Sequence, residues 1–85
     1  MQEAYVLINV ESGTEEQVLN QLKPFIQEAY ISYGVYDLVV KVKAETIDGI
    51  KDSVIRKIRT IDNVKSTLTL IILQTINNDT LAVDK

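Results

Sequence analysis

EAYISYGVYDLVVKVK, residues 28–43, alternates cleanly in its second half. Over a strand spanning Tyr36 to Lys43, Leu38, Val40 and Val42 fall on one face, and Asp37, Val39, Lys41 and Lys43 on the other. Upstream, the chain from about Ile26 to Tyr33 reads as a second extended run, with Ala29 and Ile31 opposing Tyr30. Gly34 interrupts the two. Strands joined across a short glycine-containing turn form an antiparallel hairpin.

Working toward the N-terminus, Ala4 to Val10 (AYVLINV) is β-branched, aliphatic or aromatic at nearly every position and too short for a stable helix. Ala4, Val6, Ile8 and Val10 share one face; Tyr5, Leu7 and Asn9 share the other. Glu11-Ser12-Gly13 is the turn, and Ser12 with Glu15, or Thr14 with Gln17, fits a capping box. The helix it opens turns Val18 and Leu22 inward and stops at Leu22, because Pro24 disfavours helical geometry at Lys23.

Toward the C-terminus, Thr46 opens a second helix to about Arg59, in which Ile47, Ile50, Val54 and Ile58 form a stripe facing a sheet. Gly49 costs that helix about 1 kcal/mol relative to alanine, with nothing in the sequence to account for it. A turn at Asp62-Asn63 leads to a last strand from Val64 to Leu73, and residues 76–85 form a polar tail. The order β-α-β-β-α-β with right-handed crossovers predicts a ferredoxin-like α+β fold, both helices covering one face of a four-stranded antiparallel sheet. The other face carries Tyr5, Leu7 and the apolar second half of the last strand. A patch of that kind is expected to be covered by the same face of a second copy, as in a dimeric α+β barrel.

Composition agrees. Eighty-five residues make one thin-cored domain, burying only about 60–65% of its unfolded surface. Small domains compensate with disulfides, a metal or a partner subunit. There is no Cys and no His, so the first two lack their usual ligands and oligomerisation is the expected route. The same absence removes a thiol nucleophile and an imidazole base; no cofactor is expected. A net charge of −3 argues against direct binding of nucleic acid. Neither a signal segment nor an apolar run near the ~20 residues of a membrane span is present, so a cytoplasmic protein is expected.

The hairpin resembles that of the Lrp/AsnC (leucine-responsive/asparagine-regulator) ligand-binding domain, also called the RAM domain. Its hydrophobic-aromatic ending, Gly-x-aromatic-Asp and aliphatic strand are matched by Tyr33, Gly34, Val35, Tyr36, Asp37, Leu38 and Val39. The last strand, from Asn63 to Leu73, is similar to the family's V-x-x-T-x-T-aliphatic ending. The resemblance covers residues 3 to 75, leaving 76–85 as the tail. Full-length members carry a helix-turn-helix domain ahead of this unit; with the first strand starting by Ala4, the chain resembles the stand-alone members.

The resemblance implies a homodimer and a ring of dimers (octamer or decamer), with an amino acid or related effector held where dimers meet. It also implies pairing with full-length Lrp/AsnC regulators as a further kind of partner. Carried over position by position, the ligand-binding candidates are Gly34, Tyr36, Asp37, Ser66, Thr67 and Thr69. Their chemistry suits an amino acid: Asp37 can accept from an ammonium, while amides near Gly34 and the Ser66 or Thr67 hydroxyls can donate to a carboxylate. Each also has a purely structural role open to it. Gly34 can simply make the turn, Asp37 cap the loop's own amides, Tyr36 pack in a dimer, and the threonines serve as ordinary strand residues. The basic cluster Lys51, Arg56, Lys57 and Arg59 reads as a solvated face with acidic neighbours nearby. The function expected is an effector-binding and oligomerisation module for transcriptional regulation of amino-acid metabolism, not an enzyme. The alternatives are an ACT-type domain, a dimeric α+β barrel oxygenase or isomerase, and a subunit that only assembles.

Overall fold

The computed structural model describes residues 1–76. Strand β1 (Gln2–Val10) is followed by helix α1 (Glu15–Leu22), strands β2 (Glu28–Ile31) and β3 (Leu38–Ala44), a second helix over residues 47–59, and strand β4 (Val64–Ile72). The four strands form one antiparallel sheet in the order β2-β3-β1-β4. This is the ferredoxin-like α+β arrangement that the order of elements predicts. All but the first residue of the tail expected over residues 76–85 lies outside the described residues.

The alternation of β1 and β3 fixes the core. Ala4, Val6, Ile8, Val10, Leu38, Val40 and Val42 are buried against Val18 and Leu22 of α1 and Ile50, Ile55 and Ile58 of the second helix. No polar or charged side chain is buried among the described residues. Among them, too, no helix is long and apolar enough to cross a membrane.

Three local expectations are corrected. The hairpin is looser than a tight glycine turn: β2 ends at Ile31, β3 begins at Leu38, and residues 32–37 connect them. Ser32 ends β2 by donating from its amide to Asp37 O (2.8 Å) and from its hydroxyl to Tyr36 O (2.6 Å). The Asp37 amide donates to Ile8 O (3.0 Å), so Asp37 is tied to β1 as well.

The capping box ahead of α1 does not form. Thr14 is the N-cap residue, but its hydroxyl turns back to donate to Glu11 O (2.6 Å), and Gly13 supplies the left-handed residue of the turn at φ 82°. Glu15 and Glu16 then set two carboxylates in the first turn, where the helix dipole favours them. The α-helix does end at Leu22, but Lys23 keeps helical geometry despite Pro24 (φ −46°, ψ −41°) and opens a 3₁₀ turn, Lys23–Phe25.

The third correction concerns the second helix. It is α-helical over Ile47–Gly49 and Ile55–Arg59 but π-helical over Ile50–Val54, with the Ile55 amide donating to Ile50 O. A π turn takes one more residue than an α turn and shifts the phase of everything after it. Ile55 therefore joins Ile50 and Ile58 in the core, Val54 is only half-buried, and Ile47 is 37% exposed. Gly49 also finds its reason. A Cβ there would lie 3.2 Å from both Ala44 Cβ and Thr46 Oγ1, the latter accepting the Gly49 amide as N-cap (2.9 Å). The start of the helix packs closely enough on the end of β3 that a methyl group would need Ala44 and Thr46 to give way by a few tenths of an ångström.

The phase shift is measurable. Ile55→Ala is expected to cost about 2–5 kcal/mol in urea denaturation, and Val54→Ala distinctly less. A helix of regular spacing would give the opposite order.

Candidate functional site

Asp37 holds the end of the hairpin loop to the end of β1. Its Oδ2 accepts from the Val10 amide at 2.9 Å while its own amide is bonded to Ile8 O. Between these two residues, the Asn9 amide has two orientations related by exchange of its nitrogen and oxygen. In one, the nitrogen reaches only Ser66 Oγ, at 3.4 Å. In the other it donates to Val35 O (2.9 Å) and Asp37 Oδ2 (3.3 Å), turning its oxygen toward the Ser66 hydroxyl. The second orientation satisfies both ends of the side chain and is the better description. Asn9 thus links Asp37 on one side of β1 to Ser66 on the other. Asp37 is half-buried and already engaged: in the single chain it caps an amide, but one of β1 and not of its own loop.

The other hairpin candidates are less constrained. Gly34 is exposed, nearly extended at φ 159°, and a Cβ there would meet nothing within 4 Å. Tyr36 is half-buried, with its carbonyl bonded to Ser32. Tyr33 and Val35 on either side of Gly34 project into solvent, at 105% and 84% exposure.

The candidates on β4 divide between the two faces of the sheet. Ser66 pairs with Asn9 in the register and shares the open face with it. Thr67 and Thr69 pair with Ile8 and Val6, whose side chains are in the core, and so stand on the helix side at the sheet's edge. There Arg59, the last residue of the second helix, donates from Nε to Thr67 Oγ1 at 3.3 Å. Two hollows of about 380 Å³ flank this contact. One is lined by Val64, Lys65 and Ser66, the other by Lys51, Ile55, Thr69 and Ile71 among others; Arg59 and Thr67 line both. The six candidates therefore make two groups, Gly34, Tyr36, Asp37 and Ser66 around the end of β1, and Thr67 and Thr69 beside Arg59. The sequence gives no sign of Arg59, since a helix-terminal arginine among other basic residues looks like any solvated one.

The open face is apolar in a row. Leu68, Leu7, Val39 and Tyr30 line up across β4, β1, β3 and β2. Leu70 and Tyr5 extend the row, and Leu68, Leu70 and Tyr30 are 44%, 49% and 54% exposed. Charge lies to one side of it: Glu3 sits 3.8 Å from both Lys41 and Lys43, and the Lys41 ammonium lies 5.9 Å from the Tyr5 ring centroid. At the β2 edge the Tyr30 hydroxyl donates to Glu28 Oε1 (3.0 Å). That carboxylate holds the phenol above its usual pKa, first through the hydrogen bond and then by repelling the phenolate.

A ferredoxin-like α+β domain with one helix-covered sheet face, one open apolar face and polar clusters at the end of β1 and the edge of β4 is the class of molecule these features define. The chain belongs to the Lrp/AsnC ligand binding domain family, which matches residues 3–82. It is similar to the regulatory protein AsnC of Escherichia coli K12, 45% identical over 49 residues, or 58% of this chain and 32% of AsnC. It is also similar to the HTH-type transcriptional regulator FL11 of Pyrococcus abyssi, 34% identical over 74 residues, or 85% of this chain and 48% of FL11. The chain thus spans about a third to a half of the length of these curated relatives. The solved structure of E. coli AsnC superimposes with a TM-score of 0.79 at 34% identity, covering 87% of this chain and 52% of that one. The hypothetical protein PHS023 from Pyrococcus horikoshii gives a TM-score of 0.78 at 34% identity, covering 88% of this chain and 93% of its own. The named regulators place the family in transcriptional regulation.

Asp37→Ala should leave the Val10 amide without its acceptor and destabilise the domain by about 1–3 kcal/mol. Asp37→Asn keeps an acceptor oxygen and should recover most of that loss. Urea denaturation together with hydrogen exchange at the Val10 amide reads both effects.

Proposed function

We propose that this domain binds an amino acid or related small-molecule effector and assembles as a homodimer through its open sheet face, in the regulation of transcription of amino-acid metabolism. The reading assigns the domain to residues 1–75, makes it a binding module with no catalytic role of its own, and extends to a ring of four or five dimers. The observation that carries it is the apolar row Leu68–Leu7–Val39–Tyr30 on the face opposite the helices, in a chain of the Lrp/AsnC ligand binding domain family. Exposed aliphatic and aromatic side chains on one face of so small a domain are stabilised by burial against a matching copy. Leu7, on the central strand, pairs with Leu68 on one side and Val39 on the other, which sets it at the middle of the contact.

In this reading the effector lies where dimers meet, reached by the hairpin loop and the start of β4. Gly34, Tyr36, Asp37, Ser66, Thr67 and Thr69 are its proposed contacts. Full-length regulators of the same family are proposed as further partners, through the same sheet face.

One observation favours a second reading. The Asp37 carboxylate is already bonded to the Val10 and Asn9 amides, as suits a subunit that only assembles. Thermal melting against the twenty amino acids separates the two. A ligand that binds the folded form raises the melting temperature with concentration, and an assembly-only subunit shows no response to any of them. Assembly is tested by light scattering after size exclusion. The protein is expected to run as a dimer or a ring of dimers, and Leu70→Arg, a charge set into the open face, should shift it toward monomer. A wild-type monomer that melts identically with every amino acid would overturn the proposal.

A further inference from the structure

The two hollows beside β4 have a consistent charge. Their charged lining residues are Lys51, Arg59 and Lys65, and no carboxylate lines either one. The ion pairs of the described residues join Glu3 to Lys41 and Lys43, so none involves these three cations, in a chain whose net charge is −3. In a molecule with more acids than bases, Arg59 stands with Lys65 in one hollow and with Lys51 in the other, a local excess of positive charge that favours an anion.

Resting on the effector-binding reading above, we propose that this cleft receives the carboxylate of the effector on Arg59, and that it selects carboxylates with acidic or neutral side chains over basic ones. Arg59 Nε is committed to Thr67 Oγ1, which fixes the plane of the guanidinium and leaves its two terminal nitrogens to grip a carboxylate end-on. Thr67 and Thr69 stand on the same side of β4 and add hydroxyl donors. Ile55 and Ile71 give the second hollow an apolar wall for the stem of the ligand. At about 380 Å³, each hollow falls in the size class of small-molecule sites. Specificity comes as much from repulsion as from attraction. A lysine or arginine ligand would bring a second cation toward Lys51 and Lys65, and no carboxylate of the same chain lines either hollow to meet it. Asp37 of the same chain lines neither hollow.

The test uses the full chain with L-glutamate, 2-oxoglutarate, L-leucine and L-lysine at equal ionic strength, read by calorimetric titration and thermal melting. L-Glutamate and 2-oxoglutarate should bind more tightly than L-lysine. Arg59→Met should weaken the carboxylates by about 10–100-fold, the loss of a charge-assisted hydrogen-bonded contact. Arg56→Met, on the same helix but outside both hollows, should leave their affinity unchanged. Both arginines are exposed, so neither substitution threatens the fold. Binding of L-lysine as tight as that of L-glutamate, or unchanged binding in Arg59→Met, overturns the inference while leaving the effector reading intact. If no amino acid or oxo acid binds the wild-type chain, the effector reading fails and the inference fails with it.

Discussion

Strand β1 is the constraint on which the molecule depends. It is hydrogen-bonded along both sides, to β3 and to β4, and every second side chain from Ala4 to Val10 is buried. A register slip of one residue would exchange its buried aliphatics for Tyr5, Leu7 and Asn9 and dismantle the core. Its last three residues also organise the polar chemistry. Ile8 O and the Val10 amide hold Asp37, and Asn9 joins the loop to Ser66. Core and candidate site are therefore not separable parts: the strand that supplies the most buried positions also fixes where the hairpin loop ends.

What could be read from the sequence follows from this. Alternation identified the buried positions of β1 and β3 because a strand repeats every two residues whatever surrounds it. The element order and the turn signals were enough for the topology. The second helix was harder, because a π turn is a tertiary accommodation with no composition of its own. The spacing Ile47, Ile50, Val54, Ile58 is an intact α-helical stripe, yet Ile55 joins Ile50 and Ile58 in the core in place of Val54. Thr14 fits a capping pattern but its hydroxyl has a nearer acceptor in Glu11 O. Both failures come from competition between local geometries that a pattern of residue types does not rank.

The candidate site was legible in identity more than in arrangement. Parity along β4 already separates Ser66 from Thr67 and Thr69, but only the pairing with Asn9, Ile8 and Val6 tells which faces these are. Within the single chain Asp37 is a joint between loop and strand, an arrangement that the hairpin motif does not reveal. Arg59, without any motif, is the side chain that turns the Thr67 edge into a charged recess. Its place at the end of a helix, where a cation is favoured by the backbone dipole, is reason enough for an arginine to be there. The bond to Thr67 gives it a defined direction as well.

The two edges of the sheet are unequal. β4 presents nine residues at one border, while β2 presents four at the other. An exposed strand edge is a template for adding another chain, and growth without limit needs a usable edge on both borders. Here the β2 border is too short to offer much pairing. A sheet cut this way gives a poor foothold for side-by-side fibre growth, which matters for a protein whose open face is apolar.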